Sequence, residues 1–145
     1  MTASAQKTRE VIENYVKAWT TGDKKLLLSI FADDVVWEDP VGTPAFVGLK
    51  GVEKFWDFSH QDSARQLSPK VHEIVTCANQ GILRFTMQVR LPHLNQGLDL
   101  SVIDYFVIND AGKITVAKAF WDETKVAAPP GMALFVPNID QAYTT

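Results

Sequence analysis

The chain has 145 residues, of which 46% are hydrophobic and 21% are charged, and this composition excludes a disordered or fibrous protein. A net charge of −3 gives no electrostatic support for a nucleic-acid partner. The single cysteine excludes an internal disulfide framework and favours a reducing compartment. The start of the chain is polar, and no apolar run approaches the roughly 20 residues of a membrane span. We therefore expect a soluble, cytoplasmic protein without a membrane partner.

The first half of the chain predicts three helices and one strand. Residues 5–19 carry apolar side chains at helical spacing, and Asp23 can cap a second helix over residues 24–32. The segment 33–40 then reads as a short strand. After a loop that contains glycine and proline, residues 51–61 return to a helical pattern.

The second half of the chain predicts a meander of strands. Segments 70–79 and 82–91 flank a tight turn, and segments 98–108 and 114–124 follow with further turns between them. Apolar and polar side chains alternate clearly in 82–91, which is typical of a half-buried antiparallel strand. The segment 125–145 contains proline and glycine without a clear period, so we interpret it as an irregular C-terminal extension.

The order of these elements predicts an α+β fold in a single domain over residues 1–145, with a core of about 8–124. The simplest arrangement lays the three N-terminal helices across one face of a curved, antiparallel or mixed β-sheet. A curved sheet covered in this way forms a cone, and a cone can enclose an apolar pocket.

The strand that begins DDVV ends in WEDPVG, with two adjacent carboxylates, a proline and a glycine. A carboxylate at the junction of a strand and a turn can be a solvated loop residue. It can also be a general base at the mouth of a pocket. Asp39, in this stretch, is a candidate for either role.

Asp104 lies in the middle of an otherwise apolar strand, with Val102 and Phe106 on the same face. An isolated buried carboxylate is costly to desolvate, so this position needs an explanation. Asp104 could pair with Arg84 or Arg90, or its strand could lie at a solvated edge of the sheet. Alternatively, the carboxyl group stays protonated and donates a hydrogen bond.

Two further features are compatible with a pocket, and each also has a structural explanation. Tyr15 lies on the buried stripe of the first helix, where its hydroxyl needs a partner or reaches the surface. In the last strand Ala117 and Ala119 share a face with Trp121, which leaves volume for a closely packed helix or for a ligand. The three histidines show no metal-ligand spacing, so we predict no metal site.

Five segments within about residues 8–124 carry a family resemblance: YVKAWTTGD, FADDVVWEDPVGTP, GLKGVEKFW, SVIDYFVINDAGKI and AFWDE. Together they resemble the ketosteroid isomerases of the nuclear-transport-factor-two-like superfamily, which also contains polyketide cyclases. The EDPVG and VID segments are the more specific ones. The helical patterns recur across the superfamily and mark only the fold.

The resemblance implies a homodimeric isomerase that needs no cofactor and moves a C=C bond in a steroid-like β,γ-unsaturated ketone through a dienolate. It implies that Asp39 is the general base, and that Tyr15 and a protonated Asp104 are the oxyanion-hole donors. Two supporting tyrosines of the family are replaced here by Phe31 and Trp56. The expected substrate contacts are Phe31, Trp56, Phe85, Met87, Val102, Ala117, Ala119 and Trp121.

Other interpretations use the same residues. A cyclase or isomerase of a polyketide or terpenoid pathway could employ Asp39 and Asp104 as base and acid on another skeleton. A non-catalytic module for apolar ligands is a third possibility, and it predicts that Asp39→Asn leaves function unchanged. Epoxide hydrolysis would need an arginine between two buried acids, whereas Arg84 and Arg90 are predicted on the polar face of their strand.

Overall fold

A curved, mixed, seven-stranded sheet with three helices makes up the computed structural model, which describes residues 2–143. The helices are α1 Ala5–Thr21, α2 Lys24–Ile30 and α3 Gly48–Ser59. The strands are β1 Phe31–Glu38, β2 Phe46–Val47, β3 Gln66–Cys77, β4 Gln80–Leu91, β5 Gln96–Ile108, β6 Ile114–Trp121 and β7 Ala133–Leu134. Short 3-10 turns lie at Pro92–Leu94, Glu123–Lys125 and Ile139–Ala142. The α+β fold and the cone predicted from the sequence are confirmed.

The junction between α1 and α2 is set by two residues with special chemistry. Gly22 ends α1 in a left-handed conformation with a φ of 67°. Asp23 caps α2, as predicted, because its side chain accepts a hydrogen bond from the N–H of Leu26 at 2.9 Å. The predicted second helix was two residues too long: α2 ends at Ile30, and Phe31 is already extended and opens β1.

The sheet has the strand order β2-β1-β6-β5-β4-β3, and β7 pairs with the first residues of β5. β1 runs parallel to β6, whereas the other neighbours along this order are antiparallel. The sequence did not predict β2, because two residues are too few to show a period. β5 has a neighbour on each side, so it is an interior strand.

The alternation predicted for β4 is confirmed. Leu83, Phe85 and Leu91 are buried on the inner face, whereas Arg84 is exposed on the outer face. Leu83 and Phe85 join side chains of all three helices in the main hydrophobic core. Burial of this face drives the sheet and the helices together.

Helix α1 lies close to the beginning of β4. A Cβ atom added to Gly81 would stand 2.4 Å from Cδ1 of Ile12, so glycine is needed for this approach. The hydroxyl of Thr8 donates to the carbonyl of Ala78, in the turn between β3 and β4, at 2.8 Å. These contacts fix α1, and with it Tyr15, over the sheet.

The C-terminal extension folds back onto the domain. The N–H of Phe135 donates to the carbonyl of Gly97 on β5 at 2.8 Å, directly after the β7 pairing. Near the end of the described chain, the ring of Tyr143 stacks on Phe46 with a centroid distance of 5.1 Å. No helix in the described part of the chain is long and apolar enough to cross a bilayer.

Candidate active site

A largely apolar cavity of about 320 Å³ lies between the helices and the inner face of the sheet. Its polar lining consists of Tyr15, Asp39, Ser59, Arg65 and Asp104, and its aromatic lining of Trp19, Phe55, Phe58, Phe85, Trp121 and Phe135. The remaining lining residues are Leu67, Met87, Val89, Leu98, Leu100, Val102, Val126, Val136 and Pro137. Small-molecule sites typically enclose about 300–1,000 Å³ and combine an apolar wall with a few polar groups. This cavity has both properties.

Backbone contacts bring Asp39 towards Asp104. Asp39 directly follows β1 and precedes Pro40 through a cis peptide bond. The N–H of Val41 donates to the carbonyl of Ala119 on β6 at 2.9 Å. Ala119 is in turn the register partner of Asp104 on β5. The turn after β1 therefore delivers Asp39 to the part of the sheet that carries Asp104.

The structure excludes two of the three explanations for the buried position of Asp104. The residue is 3% exposed and lies on an interior strand, so it is not at a solvated edge. Arg84 and Arg90 form ion pairs elsewhere, with Glu73 at 3.7 Å and with Asp99 at 2.8 Å. Neither carboxyl oxygen of Asp104 has a hydrogen-bond partner at normal distance among the described residues.

The surroundings of Asp104 and Tyr15 favour the neutral form of both groups. Burial raises the pKa of Asp104 well above its ordinary value, and the charge of Asp39 adds to the rise, while Tyr15 opposes it. Burial also raises the pKa of Tyr15, helped by the charges of Asp104 and Asp39. The Tyr15 ring meets Phe106 edge to face at a centroid distance of 5.0 Å. Both groups are therefore available as hydrogen-bond donors within the cavity.

Asp39 has a different environment from Asp104. It is only half-buried, and burial raises its pKa from 3.8 to about 7, while the indole N–H groups of Trp121 and Trp37 oppose the rise. A carboxylate with a pKa near neutrality both accepts and returns a proton efficiently. The cavity thus places a base next to two neutral donors.

The C-terminal extension contacts the turn that carries Asp39. The hydroxyl of Tyr143 donates to the main-chain carbonyl of Asp39 at 2.8 Å and lies 2.9 Å from Oγ1 of Thr43. The hydroxyl of Thr43 donates to the carbonyl of Pro40 at 2.6 Å. These bonds join the end of the chain to both sides of the Asp39–Pro40 peptide.

Comparison with known families now places this fold. The family model described as a SnoaL-like domain matches residues 12–117, which is more than half of the chain. The chain belongs to the SnoaL-like domain family. The nuclear-transport-factor-two-like superfamily implied by the sequence is thereby confirmed.

Two solved structures share the fold of this SnoaL-like domain. An LEH-like epoxide hydrolase from M. tuberculosis superposes with a TM-score of 0.69 at 18% identity, over 81% of this chain and 84% of that one. SalBIII, an epoxide hydrolase/cyclase-like enzyme of pyran ring formation in the polyether salinomycin, gives 0.75 at 19%, over 86% and 97% of the two chains. At this level of identity, the likeness shows the fold alone.

The predicted substrate contacts of the SnoaL-like domain divide into two groups. Phe85, Met87, Val102 and Trp121 line the cavity. Phe31, Trp56, Ala117 and Ala119 are buried but are not part of its lining. Ala117 is the register partner of Trp37 on β1, and both residues are 1% exposed members of the main hydrophobic core.

Phe31 and Trp56, the positions at which the ketosteroid isomerase resemblance implies tyrosines, provide aromatic packing. The ring of Phe31 meets Tyr15 edge to face at a centroid distance of 6.4 Å. Trp56 packs on Trp19 at 4.8 Å and on His60 at 3.9 Å. Neither side chain offers a hydroxyl group, so Phe31 and Trp56 cannot supply the tyrosine network that the ketosteroid isomerase resemblance implies behind Tyr15.

Several lining residues were not predicted as site residues: Arg65, four residues of the C-terminal extension, and Trp19, Phe55, Phe58, Ser59, Leu67, Val89, Leu98 and Leu100. Arg65 lies in the irregular segment after α3, where no sequence period indicates its direction. The C-terminal extension supplies four lining residues: Val126, Phe135, Val136 and Pro137. Its aromatic and aliphatic residues were the one available signal. Within the described part of the chain, no cluster of three His, Cys, Asp or Glu residues could hold a metal ion.

Proposed function

We propose that this SnoaL-like domain is a cytoplasmic, cofactor-independent isomerase that moves a C=C bond in a steroid-like β,γ-unsaturated ketone. The observation that carries the proposal is Asp39, with a pKa of about 7, beside the neutral donors Tyr15 and Asp104 in one apolar cavity. Abstraction of a proton next to a ketone needs both elements, because negative charge develops on oxygen while a base takes the proton.

The reaction needs only a base and two donors. Asp39 removes a proton from the carbon between the ketone and the C=C bond, and the electron pair delocalises into a dienolate. Tyr15 and Asp104 donate hydrogen bonds to the dienolate oxygen and stabilise its charge. Asp39 then returns the same proton to the far carbon, which gives the conjugated enone. Atoms and charge balance without any other reactant.

The direct test follows the ultraviolet absorbance of the conjugated enone after a Δ5-3-ketosteroid is mixed with the protein. We expect turnover by the wild type and a loss of about 10²–10⁴-fold in Asp39→Asn, with ligand affinity retained. Tight binding of a phenolic steroid without turnover would mean that the natural substrate has another skeleton. A binding module predicts that Asp39→Asn leaves both function and ligand affinity unchanged, whereas the enzyme candidates predict a loss of turnover with affinity retained.

Ring closure on an epoxide is a second candidate, favoured by the fold match to SalBIII at a TM-score of 0.75. Asp39 would take the proton of a substrate hydroxyl, whose oxygen attacks one epoxide carbon. Asp104 would give its proton to the epoxide oxygen as that C–O bond breaks. One C–O bond forms and one breaks, and proton exchange between the two carboxyl groups restores the starting state.

An epoxy alcohol with an apolar skeleton tests this second candidate. Ring closure predicts a cyclic ether as the product, whereas simple hydrolysis predicts a diol. The sequence-based argument against hydrolysis was that it needs an arginine between two buried acids. Arg84 and Arg90 are not among the residues that line the cavity, and Arg65, which does line it, directly precedes β3 at the end of the sheet far from Asp104. Product identity by mass spectrometry and NMR distinguishes the cyclic ether, the diol and unreacted substrate.

A further inference from the structure

Among the described residues that line the cavity, Arg65 is the only one with a positive charge. Burial lowers the pKa of its guanidinium, and the charge of Asp62 opposes this change. Asp62 lies 3.9 Å from His93, and no described carboxylate forms an ion pair with Arg65. The proton transfer proposed above makes no use of this cation.

The guanidinium of Arg65 is held in a fixed orientation. Its Nη1 donates to the carbonyls of Ser59 at 3.2 Å and Phe58 at 3.5 Å, at the end of α3. The ring of Phe135, from the C-terminal extension, lies 5.0 Å from the guanidinium carbon. The Nε atom is buried and has no partner, and no described residue accepts a hydrogen bond from Nη2. One edge of the planar group is therefore uncommitted.

Arg65 and Asp104 lie towards opposite ends of the sheet. Arg65 directly precedes β3, and Phe135 is bonded to Gly97, so both belong to the end of the sheet where β5 begins. Leu98, the next residue on β5, lies six positions before Asp104. At roughly 3.3 Å per residue, the Arg65 end of the sheet is therefore about 20 Å from Asp104 along the strand. Because the sheet is curved, the straight-line distance between Arg65 and Asp104 is shorter than this distance along the strand.

We propose that Arg65 binds a carboxylate at the far end of an elongated, apolar substrate whose reacting oxygen meets Tyr15 and Asp104. The edge of the guanidinium that has no protein partner matches the two oxygens of a carboxylate. Asp39, when ionised, repels a carboxylate from its own end of the cavity, so the two charges together orient the substrate. The class of ligand is then an apolar acid with a ketone or another oxygen function at the opposite end.

This assignment deepens the proposed function, but affinity measurements test it without turnover. The probe pair is a phenolic steroid that carries a carboxylate at the end opposite the phenol, and the methyl ester of the same compound. Binding is followed by quenching of tryptophan fluorescence, since Trp19 and Trp121 line the cavity. We expect the wild type to bind the acid roughly tenfold or more tightly than the ester, because charge-assisted hydrogen bonds are the stronger class.

Three variants show whether Arg65 causes this preference. Arg65→Gln should bind acid and ester about equally, with the ester affinity unchanged, which also reports an intact cavity. Arg65→Lys should keep part of the preference, because it retains the charge and loses the planar edge. Arg84→Gln is the matched control, since Arg84 is an exposed arginine outside this cavity, and its preference should equal that of the wild type.

A second probe pair separates this proposal from the isomerase. Decanoic acid and its methyl ester lack both the phenol and the steroid skeleton, so a preference for the acid that disappears in Arg65→Gln supports the carboxylate site even when no ketosteroid is turned over. Equal affinity of acid and ester in the wild type overturns the proposal for both pairs. A preference that survives in Arg65→Gln also overturns it, and leaves Arg65 with its structural bonds to the end of α3.

Discussion

The pKa of Asp39 sets the pH range in which the proposed isomerase is active. Burial raises its pKa from 3.8 to about 7, and the isomerase requires its ionised form. We therefore predict that kcat/KM rises about tenfold per pH unit below pH 7 and levels off above it. The measurement is a pH profile with a neutral steroid ketone. A profile that is flat down to pH 5 would show that the group which takes the proton ionises below pH 5, and would contradict the raised pKa of Asp39 as the origin of the pH dependence.

Asp104 acts in this scheme as a neutral donor, which distinguishes it from Asp39. We predict that Asp104→Asn keeps much more activity than Asp104→Ala, because an amide is neutral and can still donate a hydrogen bond. Loss of one oxyanion donor typically costs about 10²–10³-fold in kcat, which is the expectation for alanine. The steady-state kcat of the two variants is compared on the same ketone.

The same pair of variants separates the two candidate functions. Ring closure on an epoxide requires Asp104 to transfer its proton, and an asparagine amide cannot do so. If Asp104→Asn and Asp104→Ala lose activity to the same extent, the isomerase scheme is contradicted and a role of Asp104 as a proton donor is favoured. The distinction depends on chemistry alone, since asparagine has nearly the shape of a protonated aspartate.

The residue patterns predicted part of this site and could not predict the rest. Asp104 was visible because strand parity placed a carboxyl group among apolar side chains. Asp39 was visible because two acids and a proline ended a strand. Arg65 gave no such signal, since it lies between regular elements. Its direction depends on hydrogen bonds to Phe58 and Ser59 at the end of α3 and on Phe135, which is far away in the chain.

The C-terminal extension contacts the turn that carries Asp39. Tyr143 donates to the main-chain carbonyl of Asp39 and stacks on Phe46, so it restrains the turn that carries the base. We predict that Tyr143→Phe lowers kcat by up to roughly tenfold with little change in KM, because it loses one hydrogen bond worth about 0.5–1.5 kcal/mol and keeps the stacking. Steady-state kinetics with the ketone measures this separation.

Tyr105→Phe is the matched control for Tyr143→Phe. The hydroxyl of Tyr105 also donates a hydrogen bond, in this case to the side-chain oxygen of Gln80, but Tyr105 is not among the residues that line the cavity. We expect its kinetics to equal those of the wild type. An effect of similar size in both variants would show a general loss of stability instead of a loss of positioning at Asp39.

Helices and strands that are long enough to repeat their burial pattern several times were predictable from the sequence. Strands of two residues were not. Helix α1 and strand β4 show their burial pattern over many residues, so their type and inner faces were correct. β2 and β7 have two residues each, and only pairing with a distant strand defines them. The contact of Tyr143 with Asp39 spans most of the chain, so no local pattern could indicate it.

At the scale of the whole molecule, the homodimer implied by the family resemblance stays a prediction. The outer face of the sheet carries neighbouring apolar side chains that are exposed, with Ile103 at 42% and its register partner Phe120 at 49%. If this face joins two copies, Phe120→Glu should convert a dimer into a monomer in sedimentation velocity. A wild type that is monomeric at high micromolar concentration would exclude the homodimer.

The raised pKa values of Asp104 and Asp39 should also make the free energy of unfolding of the whole domain depend on pH. The ordinary pKa of an aspartate is 3.8, and burial raises the pKa of Asp104 well above it. Above pH 3.8 the unfolded chain has therefore lost a proton that the folded chain retains. The free energy of unfolding contributed by Asp104 is then full below pH 3.8 and falls as the pH rises towards its folded pKa, by about 1.4 kcal/mol per pH unit.

Asp104→Asn removes this titration and keeps the shape of the side chain. We predict that the free energy of unfolding of Asp104→Asn, relative to the wild type, increases as the pH rises above 4 and levels off once Asp104 ionises in the folded wild type. Urea unfolding at several pH values measures the difference, and the comparison with the wild type cancels the titration of the groups that do not interact with Asp104. Asp39 contributes in the same direction between pH 3.8 and about 7, so the wild type should gain stability at mildly acidic pH, where it loses activity. A difference that does not change with pH would mean that Asp104 has the same pKa in the folded and unfolded chains. Asp104 would then be ionised at neutral pH, and it could not be the neutral donor of the proposed oxyanion hole.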